Sequence, residues 1–491
     1  MYPVALRSRW VLLSRLSQCV DYRTEQATHN RTAHTQPIVT DTQLARRLGA
    51  FDATMLVMGG IIGAGIFINP YVVARTVSAP WAIIGVWLLG GLVALVGAFV
   101  YAELAVWRPS VGGQYAYLRD AWHPMVAFLY GWALLLVTQT GGMAAVAMTF
   151  ASYFRELTGT TVAAPWIAVA TLGILTVVNC FGARAGSNVQ STLMVTKIAA
   201  ILMLVTLGWL AVRPGGTEPA ASLGAAAAAR PPLLALGAAM VPVLFAYGGW
   251  QTASFVSGEL RDPQRDLPRG LLWGVCAVVV LYVAVNAVCL AVLGPRGLAE
   301  TTTPASEVMR RALGPNGARL IAAGIAVSTV GFLSQGMLTA PRVYYAMARD
   351  GLFFRAVGSV HPVTKAPVVA IVVQGVWAVV IALSGRYEQI LNYVVALDAV
   401  FFGLTGAALI VFRRRAARAG TPRPSGGIAM PGHPITTLVF TLAFWALAVS
   451  TILQFPRSAG VGVLILLAGV PVYLVWRRRG GTNDRETNGT D

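Results

Sequence analysis

Charge is what this 491-residue chain has least of: Asp, Glu, Lys and Arg make up 11 % of it, against 56 % hydrophobic residues and a mean hydropathy of +0.66. An ordinary water-soluble domain carries about a quarter charged residues, so composition excludes that class. Cysteine is scarce as well. Cys19, Cys180, Cys276 and Cys289 show no CxxC spacing and no Cys/His cluster, which leaves redox chemistry and a structural metal without support. The five histidines (His29, His34, His123, His361, His433) fall outside the apolar runs, so an intramembrane hydrolase or metalloenzyme has no imidazole to use. No GxxxxGK[ST] segment and no paired catalytic constellation occurs, so ATP-driven pumping and enzymatic turnover are not expected, nor is any cofactor. Lysine is almost missing: of 37 basic residues only Lys197 and Lys365 are lysines.

What fills the chain instead is a succession of apolar runs of some 20 residues, each long enough to cross about 30 Å of hydrocarbon. They predict an all-α polytopic membrane protein with about twelve spans, at 52–77, 80–106, 124–154, 163–181, 188–212, 233–257, 270–293, 319–348, 367–384, 389–412, 435–453 and 459–476. The net charge of +18 could suggest nucleic acid, but its distribution argues against that partner. With a cytoplasmic N-terminus, 26 of the 37 basic residues fall on inside segments, 10 on outer loops or helix ends, and one, Lys197, within a span. The positive-inside rule then places both termini in the cytoplasm, in keeping with a plasma membrane protein. Residues 1–47 have no apolar h-region beyond Trp10–Leu13 and read as a disordered cytoplasmic tail; residues 477–491 read as a second polar tail.

Two of the runs are interrupted by glycine-rich breaks: Gly59-Gly60-Ile61-Ile62-Gly63-Ala64-Gly65-Ile66-Phe67, and Phe245-Ala246-Tyr247-Gly248-Gly249-Trp250. Glycines of this kind also serve close helix packing. A helix unwinds at membrane depth only where the freed backbone groups meet protein or line a cavity, and paired breaks in two halves of a chain point to a transporter. Spans one to five (about 52–212) and six to ten (about 233–412) each cross an odd number of times. The second half is therefore expected inverted on the first, with spans one and six broken and two helices (435–476) appended.

Four motifs carry a resemblance: GGIIGAGIF, YAEL-x5-PSVGGQYAYL (Tyr101 to Leu118), FAYGGW with GELRDPQRDLPRG (Gly258 to Gly270), and TAPRVYYAMARDG (Thr339 to Gly351). In this order, over about residues 48–476, the chain resembles the amino acid, polyamine and organocation superfamily, and within it the L-type amino acid transporter and bacterial serine/threonine-exchanger branch. Backbone polarity fits that expectation. Gly63, Ala64 and Gly65 can donate N–H groups to an α-carboxylate at a helix N-terminus, while the Ile61 and Phe245-Ala246-Tyr247 carbonyls beside Gly248 can accept from an α-ammonium. The resemblance implies the same assignment; Ala64 replaces the serine common at this family position, which removes a hydroxyl but not the backbone donor.

Phe245 aligns with the aromatic that caps substrate on the outer side of similar transporters, and Trp250 is either a gate or an ordinary packing ring. Lys197, deep in span five, either snorkels to the interface or, as the resemblance implies, stands where sodium-coupled relatives bind a cation between spans one and eight. Asp398 is either a proton carrier or a carboxylate bonded to a neighbouring broken helix. Glu103 and Glu259, with Arg108, Arg261 and Arg265 nearby, form an inner ion-pair gate or plain structural pairs.

Together these readings describe a secondary transporter of L-amino acids, neutral ones first, working by alternating access as a sodium-independent exchanger or by proton coupling. A polyamine or organocation permease, or a non-transporting sensor of the same fold, is the alternative. Animal relatives link to a heavy chain through a cysteine between spans three and four; residues 155–165 hold none, so no disulfide-linked heavy chain is expected. The topology is testable. A cysteine introduced at Thr302 should react with an impermeant thiol reagent applied from outside and one at Gly420 should not; the reverse pattern inverts the arrangement.

Overall fold

A computed structural model describes residues 44, 46–212, 232–384, 387–424, 427–454 and 456–486. The expected N-terminal tail falls, as far as Gln43, outside the described residues. Regular structure among them is helical, apart from one isolated bridge between Leu48 and Leu260. That follows from the solvent, since hydrocarbon supplies no partner for an N–H or C=O and a helix satisfies both within one segment.

In chain order the α-helices are α1 (Ala50–Ile61), α2 (Gly65–Thr76), α3 (Pro80–Trp107), α4 (Gln114–Ala121), α5 (Pro124–Ala133), α6 (Gln139–Thr158), α7 (Ala164–Cys180), α8 (Ala183–Leu210) and α9 (Pro232–Tyr247). They continue with α10 (Pro263–Glu300), α11 (Pro304–Thr339), α12 (Pro341–Arg349), α13 (Val368–Leu383), α14 (Tyr387–Arg418), α15 (Ile435–Gln454) and α16 (Pro456–Glu486). A π-helical turn, Leu134–Thr138, joins α5 to α6, and a 3₁₀ helix, Trp250–Glu259, follows α9. Each of the twelve expected apolar runs falls on one helix or on consecutive helical segments. By length and composition eight helices among the described residues can cross a membrane, and α1 with α2, bent by 44°, makes a ninth. The shorter apolar helices α7 and α13 add to these. The chain is a multi-pass helical membrane protein.

Proline punctuates the sequence at helix starts: Pro80, Pro124, Pro165, Pro263, Pro304 and Pro341 occupy the first two helical positions, where the missing N–H would have no partner anyway. Gly159 closes α6 in the left-handed region at φ 66°. Helix α16 runs past the apolar stretch to Glu486, into the segment expected as a polar tail.

Small residues let the helices approach. A Cβ at Gly270 of α10 would come 2.5 Å from that of Ala53 on α1, and one at Gly91 of α3 2.8 Å from Val279 of α10. Large apolar side chains such as Trp81, Leu92, Ile174, Val280 and Leu464 stay exposed on the outer faces, as lipid contact requires.

One end of the bundle carries the buried ion pairs. Glu103, fully buried at the end of α3, takes two bonds of 2.7 Å from Arg413 of α14 and a third of 2.7 Å from the Met430 amide. Arg342 of α12 bonds Glu259 at 2.6 Å with both side chains 1 % exposed, and also donates to the Leu338 carbonyl. Asp350 accepts from Arg119 at 2.7 Å and from the Tyr115 hydroxyl at 2.8 Å, and Arg108 pairs with Asp120. At Arg119 burial opposes the charge, but the bonds to Asp120 and Asp350 outweigh it and hold the guanidinium above its usual pKa.

These pairs correct the expectation of local partners. Arg108, Arg261 and Arg265 do not neutralise Glu103 or Glu259; arginines 310 and 83 residues away do. A carboxylate buried this completely needs a guanidinium inserted from a neighbouring helix, which adjacent loop residues cannot provide. At the same end the segment before α1 is strapped across the 3₁₀ helix, with the Arg47 and Leu48 amides donating to Glu259 O and Arg261 N donating back to Leu48 O.

Leaving one charge of a buried pair alone costs about 3–5 kcal/mol, whereas an exposed pair is worth about 0–1 kcal/mol. Glu259→Ala should therefore lower thermal stability in detergent far more than Glu307→Ala, which breaks the exposed pairs with Arg310 and Arg311. Fluorescence-detected gel filtration after heating checks this, and equal losses would contradict it.

Candidate functional site

The two breaks meet. Helix α1 stops at Ile61, Ile62 is extended (φ −75°, ψ 92°), and α2 begins at Gly65 with no side-chain cap on its N-terminus. Helix α9 stops at Tyr247, and the chain turns through Gly248 and Gly249, the latter at φ 103°. Gly249 packs directly on Gly60. A Cβ on Gly60 would lie 2.5 Å from Gly249 O, and one on Gly249 would overlap the Gly60 carbonyl and add strain at a positive φ. Gly65 faces Ala246, 3.1 Å from where its Cβ would be.

The freed backbone groups sort by sign. The Ile61 and Ala246 carbonyls both accept from the hydroxyl of Tyr282 on α10, at 3.0 and 3.2 Å, so one phenol ties the two breaks together. The Ile62 carbonyl accepts from the ammonium of Lys197, which is fully buried. The N–H groups of Gly63, Ala64 and Gly65 make no hydrogen bond among the described residues. Three donors at the positive end of α2 are left for a ligand.

These donors border a cavity of about 140 Å³, also lined by Gly60, Ile61, Phe245, Ala246, Gly248 and Gly249. Polar side chains complete that wall and are already engaged. Gln251 Oε1 accepts from Gly249 N at 3.0 Å, Thr252 donates to Gly249 O at 2.6 Å, and Gln335 of α11 donates to the Thr252 hydroxyl. The other wall comes from the π turn and α6 (Leu134, Thr138, Gln139, Gly142) and from α14 (Val394, Val395, Asp398, Phe402). The π turn shifts register so that Thr138 reaches the cavity, a common use of such insertions, and Thr140 bonds back to the Leu135 carbonyl.

Most residues expected from the sequence converge here. Ile61, Gly63, Ala64, Gly65, Phe245, Ala246, Gly248 and Asp398 line the cavity, and Phe245 is 39 % exposed, open to it. Tyr247 points away, packed on Tyr282 at 4.9 Å and on Trp87 at 5.9 Å between ring centroids. Trp250 lies behind the cavity floor, stacked under Phe402 at 5.4 Å and edge-on to Tyr101 at 4.8 Å. Lys197 approaches Gly331 of α11 as well as Ile62, which sets it between the first break and α11.

Tyr282, Gln335, Thr252 and Thr138 were not legible. Tyr282 and Gln335 sit in apolar runs with no local signal, and nothing in Leu134–Thr138 marks a π turn. Gly60 and Gly249 stood inside the quoted breaks and could have been singled out, as doubled glycines at corresponding places.

A helical membrane protein with an unwound, donor-lined cavity between two touching breaks has the architecture of a permease. The chain matches the family described as amino acid permease over residues 48–476 and belongs to it. It is 29 % identical over 440 residues to the large neutral amino acids transporter small subunit 2 of Homo sapiens, covering 88 % of this chain and 80 % of that protein. The serine/threonine exchanger SteT of Bacillus subtilis (strain 168) is 29 % identical over 452 residues, 89 % of this chain and 98 % of that one. Asc-type amino acid transporter 1 of Mus musculus is 28 % identical over 446 residues, 89 % and 82 % of the two chains.

The backbone contact makes a sharp expectation. Gly60→Ala, Gly249→Ala, Gly65→Val and Gly248→Leu should each lose amino acid binding, the first three by forcing the breaks apart and the last by filling the cavity. Gly85→Ala, where an added Cβ meets nothing within 4 Å, should bind normally. Ligand-induced thermal shifts on the purified variants decide it, and normal binding by Gly249→Ala would remove the site.

Proposed function

We propose that this permease is a secondary active transporter of neutral L-amino acids in the plasma membrane, working by alternating access between the two breaks. The observation that carries the reading is the set of N–H groups at Gly63, Ala64 and Gly65 that make no hydrogen bond among the described residues and line the same cavity as Ile61 and Ala246, the ends of the two breaks. A zwitterionic α-amino acid matches both signs: its carboxylate takes the donors, and its ammonium takes the second lone pairs of the Ile61 and Ala246 carbonyls. The names of the relatives, which act on large neutral amino acids or on serine and threonine, support the substrate class.

The chain crosses twelve times, with the second five helices inverted on the first, α15 and α16 appended, and both termini cytoplasmic. In support, the arginine-rich segments carrying Arg108, Arg119, Arg342 and Arg413 share one end of the bundle, the end expected inside. Phe245 is the outer lid. Trp250, wedged between Phe402 and Tyr101, moves with the 3₁₀ helix when the inner path opens. Lys197 supplies a built-in cation at the junction of the first break and α11, so sodium is dispensable. Exchange and proton-coupled uptake are both compatible with it. The transporter works without a disulfide-linked heavy chain, the α6–α7 loop holding no cysteine.

Uptake of radiolabelled amino acids into proteoliposomes, with and without internal amino acid, tests the function. Transport should persist when sodium is replaced by choline. Lys197→Ala should lose most of it because the ammonium that holds Ile62 O has gone, while Lys365→Ala, in the segment between α12 and α13, should stay near wild type. A strict sodium requirement, or equal activity of the two variants, would contradict the role given to Lys197.

A further inference from the structure

Away from the cavity, the charged end of the bundle carries a cluster in which the buried pairs take no part. Helix α12 ends at Arg349, and a short 3₁₀ turn, Arg355–Gly358, folds back on it so closely that a Cβ on Gly358 would lie 3.6 Å from the Arg349 amide nitrogen. Phe354, just before that turn, meets the Trp476 ring of α16 edge-on at 5.1 Å, and Phe353 lies against the same indole at 5.7 Å. Arg477 is the next residue along α16. Arg349, Arg355 and Arg477 are thus gathered about one aromatic group. All three are exposed, and among the described residues none of them is in an ion pair. The neighbouring carboxylate, Asp350, is taken by Arg119 and the Tyr115 hydroxyl.

The place of this cluster relative to the bilayer follows from α16. Leu464, Leu467, Leu474 and Val475 form an exposed apolar row along that helix, the surface that a multi-pass protein turns to lipid tails. The row stops at Trp476 and Arg477 follows, so tails give way to headgroups at this level, where tryptophan is favoured. Phe354 is 58 % exposed. In water such a ring is a cost; beside Trp476, among the first methylenes of the acyl chains, it is buried. A guanidinium offers paired donors that match a phosphate, and three without carboxylate partners keep that capacity free. Arg261 and Arg265, exposed at the same end, stand instead in a stretch with Asp262 and Asp266 and without an aromatic residue.

We propose that Arg349, Arg355 and Arg477, set around Phe354 and Trp476, form a binding site for the headgroup of an anionic phospholipid, with the two rings seated among the tops of its acyl chains. The choice of an anionic lipid follows from charge. A phosphatidylcholine headgroup brings its own ammonium and offers three unpaired guanidinium groups no net charge, whereas phosphatidylglycerol brings a phosphate and nothing to offset it. A lipid held there bridges the segment after α12 to the end of α16, two parts of the chain that meet here through their rings. The site is separate from the cavity and does not depend on what is transported.

The test is a lipid titration of the full chain in neutral detergent, with dioleoylphosphatidylglycerol or dioleoylphosphatidylcholine as the probe, read by thermal shift and by native mass spectrometry of the bound lipid. Phosphatidylglycerol should raise the Tm of wild type and stay bound, and phosphatidylcholine at the same concentration should do neither. The double variant Arg355→Gln/Arg477→Gln should need about tenfold more phosphatidylglycerol for the half-maximal shift. Arg261→Gln/Arg265→Gln, which removes the same charge from the same end, should titrate as wild type. Phe354→Ala and Arg349→Gln should each weaken the response. Gel filtration verifies that every variant is folded, and these two single variants decide the matter should Arg355→Gln/Arg477→Gln not fold. Equal responses to the two lipids, or equal losses in the two double variants, would overturn the proposal in favour of a general surface effect. A shift reproduced by inorganic phosphate alone would overturn it in favour of a free anion. None of these outcomes bears on amino acid transport.

Discussion

An unwound backbone inside a membrane must find partners, and in this protein the contact between Gly60 and Gly249 makes that possible. By pressing two interrupted helices together at their bare glycines, the fold brings the ends of α1 and α9 within reach of one phenol, Tyr282, and leaves room for Lys197 to bond Ile62. The carbonyl ends are satisfied from within the chain; the amide ends at Gly63 to Gly65 find no partner among the described residues. The asymmetry is what the proposed site uses: the carbonyls are already partly met from within the chain, and the donors stay available to a ligand.

The charged end of the bundle obeys the same constraint at a different depth. Glu103 and Glu259 are buried where water does not reach, so each takes a guanidinium from a distant helix, and those pairs clamp α3 to α14 and the 3₁₀ helix to α12. The Leu48–Leu260 bridge adds a backbone link between the segments leading into the first break and out of the second. Between these clamps and the cavity lies the stack of Phe402, Trp250 and Tyr101. A rearrangement that opens this end has to release packed aromatics and buried charges together.

What the sequence by itself determined was the class and the ingredients. Its shortage of charge and its apolar runs required membrane-spanning helices, prolines marked where many of them start, and two doubled-glycine breaks showed where backbone would be exposed. Ile61, Gly63, Ala64, Gly65, Phe245 and Gly248 could be named from the chain alone because a broken helix is a local event, written in residues that are adjacent. Tertiary structure decided everything that depends on two distant segments arriving at one place. It alone supplied Tyr282 as the bridge between breaks, Arg413 and Arg342 as the partners of Glu103 and Glu259, the π turn that brings Thr138 to the cavity wall, and the placing of Trp250 behind Phe402 rather than in the cavity. The reason is physical: in a helix bundle a side chain's partner is set by helix rotation and packing, and those are fixed by close contacts such as Gly60 on Gly249 that no single stretch of sequence contains.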